Sequence, residues 1–393
     1  MELYAIKING WKNPMGFDYG VPQCSWKVRG NTGSRQETAR ISVGLDETLQ
    51  KVIFQKEGKL NSLGEPLDFP LKPYTRYWYT VAVRSDHGEE AVSQPCFFET
   101  GKLDDPWVGQ WLGVEDGDTH PEFQKTFSLP EKPRSARLYI CGLGLFEAYL
   151  NGGKAGNDLL TPFLNDYTEH FQYCTYDVTS LLAQDNTLSV LLGDGWYRGH
   201  FGLGEPTHYE RPLALIAELC MEFADGHTET LRSDSGWQYR SSFTTLSDIY
   251  NGETQDYTKA SGDWKQPVLI PAPGRLCDRY SSPLHYMESI PVKEVIHTPA
   301  GETVLDFGQN FAGHVVCTQP IPNGTAMTLE FGEVLQNGNF YHENYRHAES
   351  KFTYVSDGIS REIRPRFTFF GFRYVKVSGL ERVDAACFEG RAI

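Results

Sequence analysis

Apolar and polar positions alternate with a period of two along most of this chain, while the 3.6-residue repeat of an amphipathic helix is nearly absent. Tyr77, Tyr79, Val81 and Val83 alternate with Trp78, Thr80, Ala82 and Arg84, the pattern of a half-buried strand entered through a turn at residues 73–75. Ser25, Trp26 and Lys27 mark an earlier strand with one large anchor. Short strands punctuated by Gly and Pro predict a small sandwich ending near Thr100. Asp105 and Pro106 then break regular structure, and Trp107 and Trp111 supply apolar anchors that pin the joint down.

Further strands follow at residues 123–127, 136–141, 147–150, 187–192 and 213–223. Asn151 and Gly152 form the strongest hairpin signal in the chain. DVTSLL, residues 177–182, reads as one short helix capped by Asp177 or Thr179. Asn323 with Gly324 and Asn337 with Gly338 mark two later hairpins. RFTFFGFRYVKV alternates around one glycine and predicts a long strand with a bulge at Gly371. The fold class expected is therefore all-β, with three consecutive β-sandwich domains over residues 1–103, 104–288 and 289–393. The first looks like a fibronectin type III module, the second like a carbohydrate-binding jelly roll, and the third is a further β-sandwich.

Composition narrows the partners. The 393 residues are 13% aromatic with 38 Gly and 22 Pro, which describes a turn-rich globular protein and not a disordered one. A net charge of −15 without a cationic stripe argues against nucleic acid. There is no run of about 18 apolar residues, which argues against a membrane span. Eight scattered cysteines with no CxxC pair read as reduced thiols, and no secretion signal is visible, so the expected location is cytoplasmic.

Candidate chemistry gathers in two loops. LLGDGWYRGHFG, residues 191–202, turns through Gly193, Asp194 and Gly195 and then offers Trp196, Tyr197 and Arg198. These three could line a sugar, with Tyr209 and Arg211 of the HYER stretch opposite; the competing reading is a wedge holding one sandwich against another. In AGNDLLTP, Asn157 and Asp158 present an amide and a carboxylate side by side. Hard oxygen donors of this kind suit Ca²⁺, the alternative being an Asx-turn. Glu330, Glu333 and Glu343 with His342 and His347 form a tempting acidic cluster, but Glu330 and Glu333 fall on opposite faces of an alternating strand and read as solvated edge charges. Asp306, Gln309 and Asn310 in DFGQN read as a turn satisfied by its own backbone. His200 and His208 flank the Trp196 loop with no GxSxG serine, which removes nucleophilic hydrolysis.

LLGDGWYRGHFG, together with residues 149–182, DFGQNFAGHV and RPRFTFFGFRYVKVSGL, resembles the bacterial α-L-rhamnosidases over nearly the whole chain. The resemblance implies non-catalytic N-terminal β-domains. By that resemblance the general acid and water-activating glutamate would lie in a following (α/α)6 barrel, in cis or in trans, so no catalytic residue is assigned to this sequence. It also implies a rhamnose-binding module in which calcium meets protein and sugar, with Asn157 and Asp158 as ligands and the carbonyl of Pro212 completing the shell. The expected function is thus the scaffold or sugar-binding part of an enzyme that removes terminal α-L-rhamnose. A free-standing, calcium-dependent rhamnose lectin is the alternative, and a self-sufficient glycosidase a third reading. A patch around Phe370 and Trp196, if exposed, would favour a homodimer.

Overall fold

In the computed structural model, which describes residues 1–115, 120–200, 211–259, 262–279 and 282–393, the period-two pattern becomes strand almost everywhere. Helix among the described residues amounts to three single 3₁₀ turns, and no helix is long and apolar enough to cross a membrane. The segment expected to be helical is one of these turns, Thr179–Leu181; the Asp177 carboxylate accepts from the Thr179 amide at 3.1 Å and from its hydroxyl at 2.6 Å. By contacts the chain divides into two compact units. One comprises Met1–Trp107, Cys174–Tyr176 and Cys277–Ser282, and the other the remainder.

In the first unit, Arg76–Ser85 is a central strand paired antiparallel with Gln36–Gly44 and Cys96–Thr100. Tyr77, Tyr79, Val81 and Val83 point inward as the alternation requires. They meet Phe98, whose ring stacks on Tyr77 at 5.1 Å, and Trp26, whose indole donates to Gln36 at 3.0 Å.

The second unit begins as a two-sheet sandwich. Ser135–Leu143 pairs with Ala214–Glu222 in one sheet, and Leu145–Leu150 and Pro121–Ser128 flank Asp185–Gly193 in the other. The Asn151-Gly152 turn closes the hairpin onto Gly153–Lys154, both residues at positive φ (53° and 80°) as a two-residue hairpin demands. A larger sheet then carries Thr303–Cys317, Ala326–Gly332, Lys351–Val355, Phe370–Ser378 and Phe388–Ala392 around a phenylalanine core. Within it, Phe331 and Phe370 stack at 3.8 Å.

Two features depart from expectation. Residues placed inside the second domain, Thr244–Asp248 and Gly252–Asp256, belong instead to this C-terminal sheet, where Gly252–Asp256 runs parallel to Lys351–Val355. The chain afterwards returns to the first sandwich, where Val268–Ile270 pairs with Trp111–Gly113. The chain therefore contributes two strands to the C-terminal sheet before residue 288 and then comes back. Likewise the bulge expected at Gly371 lies in the partner strand. Gly371 sits in register opposite Ala312, and the shift falls between Asp306 and Phe311, with Gly308 at φ 82°. DFGQN is thus a strand bulge in which the local turn bond is present: the Gly308 amide donates to the Asp306 carboxylate at 2.7 Å, Arg373 adds two bonds of 2.8 and 2.9 Å to the same carboxylate, and Gln309 and Asn310 are exposed.

Gly252 makes the strand exchange testable. Its φ is +107°, and a Cβ there would lie 1.8 Å from the Lys351 carbonyl oxygen. Gly252→Ala is expected to destabilise the protein by about 3 kcal/mol, read as a lower urea midpoint. An unchanged midpoint would contradict the parallel pairing.

Candidate functional site

The loop after Asp185–Gly193 is built from the inside outward. Asp194 is buried, receives the Arg198 guanidinium at 2.8 Å one helical turn later, and faces His120 Nε2 at 3.1 Å, while its amide donates to Ser247 at 3.1 Å. Arg198 is only 3% exposed, so its charge fastens the loop and does not face solvent. Tyr197 is buried as well: Arg211 donates to its carbonyl at 3.2 Å and lies 5.6 Å over its ring, and Tyr167 meets it edge-on at 5.2 Å. Of the expected sugar-facing trio only Trp196 is left half-buried. Tyr209 and His208 lie outside the described residues.

Gly193 explains why the loop is a joint. A Cβ there would come within 2.3 Å of the Phe367 ring, so the ring of the C-terminal part of this unit packs directly on glycine backbone. Phe367 joins Leu145, Leu159, Leu160 and Leu191 in one buried cluster, with Trp196, Tyr286 and Phe369 against it.

Beside this cluster is a charged knot that sequence reading missed. Glu147, 4% exposed, binds Arg364 at 2.7 Å and Arg366 at 2.5 Å, accepts the Tyr149 hydroxyl at 2.6 Å, and has Lys154 at 3.5 Å. Burial alone would push its pKa up, but Arg364, Arg366 and Lys154 outweigh that and hold the carboxyl well below the usual range. Glu253 is the opposite case. Burial raises its pKa despite bonds from Gln255 at 2.5 Å and from the Arg366 and Phe367 amides at 2.9 and 2.8 Å. His314, bonded to Tyr286 at 2.7 Å, is pushed down to about 3 by burial and by Arg364 and Arg391.

A cleft of about 470 Å³ opens nearby, lined by Trp196, His200, Tyr250, Asn251, Glu333, Asn344 and Phe369 among others. The buried Asp248 accepts from the His200 amide at 3.1 Å and faces its Nδ1 at 2.9 Å, and it also takes the Tyr250 and Asn251 amides at 2.9 and 2.8 Å. Glu333 carries the one carboxylate among the described lining residues. Glu330, on the preceding strand, is paired with Lys376 at 2.6 Å, so the two glutamates share no site. Neither Glu147 nor Glu253 lines this cleft, so their contrasting charge states do not form an acid–base pair around it.

The expected calcium ligands were tested against their surroundings. Lys154 donates to the Asp158 carbonyl at 2.7 Å, and His285 Nδ1 is 3.8 Å from the Asp158 carboxylate and 3.4 Å from the Asn157 carbonyl. The Asn157 side chain is exposed, and so is Pro212. Lys154 thus engages the main chain of Asp158 and not its carboxylate, and no group of three or more His, Cys, Asp or Glu side chains occurs among the described residues.

The knot generates a pH prediction. Stability from Glu147 is present above the unfolded carboxylate pKa of about 4.3 and is lost as pH falls below it. His314 acts in the same direction, because the unfolded chain takes up its proton below about 6.5 while the folded form resists until about 3. Glu147→Gln is expected to cost about 3–5 kcal/mol at neutral pH, with a smaller penalty in acid. His314→Gln is expected to flatten stability between pH 6 and 4. Urea denaturation across that range checks both, and an unaltered pH slope in His314→Gln would contradict the buried neutral histidine.

Comparison with known proteins completes the picture. Residues 3–104 match the family described as the Rha78A-like N-terminal immunoglobulin domain. Residues 131–285 match the alpha-L-rhamnosidase N-terminal domain, and residues 296–393 the bacterial alpha-L-rhamnosidase concanavalin-like domain. An alpha-L-rhamnosidase of Streptomyces avermitilis is 38% identical over 308 residues, covering 73% of this chain and 30% of that protein. One of Alteromonas sp. is 29% identical over 421 residues, covering 97% and 46%. The solved α-L-rhamnosidase of Aspergillus terreus superposes with a TM-score of 0.90 at 27% identity, over 99% of this chain and 48% of that one. The chain spans less than half the length of each of these relatives. It is built of the N-terminal β-domains of the bacterial α-L-rhamnosidase family.

Proposed function

We propose that these residues form the non-catalytic β-platform of an α-L-rhamnosidase, carrying a catalytic domain that removes terminal α-L-rhamnosyl groups from glycosides. The observation that carries the reading is the match of 97% of this chain to 46% of a curated rhamnosidase. The chemistry agrees with it. Glycoside hydrolysis ordinarily needs two carboxyl groups flanking the bond, and the described lining of the cleft offers Glu333 alone. The platform role draws support from the knot at Glu147, which fixes the concanavalin-like part against the sandwich before it and gives a catalytic domain a rigid seat. Catalytic geometry tolerates little looseness, so rigidity in a supporting domain has functional value.

The test is hydrolysis of an aryl α-L-rhamnoside by the purified 393-residue chain. Release at the rate of the blank is expected; saturable turnover would contradict the reading. In the same preparation, a melting temperature that calcium raises and EDTA lowers is expected if the Asn157-Asp158 loop holds the ion. A melting temperature unchanged within about 1 °C would contradict that reading.

A further inference from the structure

The cleft between the Trp196 loop and the C-terminal sheet has a composition that scaffolding does not require. At about 470 Å³ it falls among small-molecule sites, which run from roughly 300 to 1,000 Å³. Four aromatic residues line it while retaining exposure: Trp196, Tyr345 and Phe369 are half-buried and Tyr250 is 40% exposed. Polar groups converge on the same space from separate elements. Glu333 follows the strand Ala326–Gly332, Asn344 sits in the 3₁₀ turn Glu343–Tyr345, and Asn251 follows Thr244–Asp248.

We infer that this cleft is a non-catalytic carbohydrate subsite that takes one neutral pyranose ring, its C–H face on the aromatic rings and its hydroxyls on Glu333, Asn344 and Asn251. Pyranoses present an apolar face and an edge of hydroxyls, and each hydroxyl needs a partner once it leaves water. Glu333 is held ready for that role. Its Oε1 accepts from Asn310 Nδ2 and its Oε2 from Asn344 Nδ2, both at 3.1 Å. A carboxylate has about four acceptor positions, so these bonds orient it and leave capacity for O–H donors.

The wall is fastened as well as shaped. The Tyr345 hydroxyl donates to the Gly371 carbonyl, tying the 3₁₀ turn to the strand Phe370–Ser378. Arg346 and Ser350 adopt positive φ values of 62° and 45° as the chain rounds the cleft. Non-glycine residues in that region are costly, and here they turn the segment that carries Asn344 back over the cleft. On the opposite wall Asp248 takes the amides of His200, Tyr250 and Asn251 at once, fixing both turns. Such preorganisation lowers the ordering cost of binding a small, weakly held ligand.

The choice of first probe, L-rhamnose, rests on the proposed function; the cleft itself does not. The experiment is calorimetric titration with saturation-transfer NMR on the intact chain, using L-rhamnose, L-fucose, D-galactose and D-mannose. Saturable millimolar binding of at least one neutral sugar is expected, weakened about tenfold by Asn344→Ala and by Trp196→Ala. Trp196 packs on the buried cluster, so exposed Asn344 supplies the variant whose folding is not at stake. Neutral-sugar binding that prefers another hexose keeps the subsite while removing support from the rhamnoside reading. Absence of saturable binding by every sugar, or binding that survives both substitutions, would overturn the inference. Rhamnoside hydrolysis is read separately, so the two readings can fail independently.

Discussion

The structure of the larger unit depends on one buried anion. Glu147 lies in a strand of the first sandwich, and the two guanidinium groups that neutralise it, Arg364 and Arg366, lie 217 and 219 residues further along. A carboxylate in such a place is tolerable only while both arginines stay within bonding distance, since removing either leaves charge stranded away from water. The hydrophobic cluster at Phe367 alone would permit sliding, because burial of apolar area is non-directional. The ionic bonds set direction and register, and Phe367 seated on Gly193 removes the space in which a slip could occur.

That constraint accounts for the neighbourhood. Glu253 cannot also hold a charge cheaply in this interior, and its raised pKa follows; it serves by accepting the amides of Arg366 and Phe367, which aims both side chains. His314 remains neutral beside Arg364 and Arg391. The Asp194–Arg198 pair performs a similar task on the loop, burying the arginine and leaving Trp196 as the half-buried aromatic residue of the motif. A rigid joint and an adjoining cleft are therefore consequences of the same arrangement of charges.

How much of this was legible follows from the range of each interaction. Alternation at Tyr77 to Val83 and the Asn151-Gly152 turn are local, and both appear as read. The wedge reading of the Trp196 loop was also available, because two glycines before large aromatics signal close backbone approach. The transfer of Gly252–Asp256 to the C-terminal sheet was not legible, since any short strand reads alike whichever sheet accepts it. Nor was Glu147: in LFEAYL it looks like an outward polar position on an alternating strand, and only distant Arg364 and Arg366 reveal that it points inward. The bulge was assigned to Gly371, when the irregularity belonged to the strand opposite and to Gly308.

The claim on which the account turns is that the two β layers of the larger unit open and close as one body through Glu147. Native-state hydrogen exchange measures this directly, comparing amides of Leu145–Leu150 and Asp185–Gly193 with those of Thr303–Cys317 and Phe370–Ser378 in increasing denaturant. The account predicts that all four strands merge into a single opening isotherm in the wild type and separate into two in Glu147→Ala. Two distinct isotherms in the wild type, with the same separation in the variant, would contradict it.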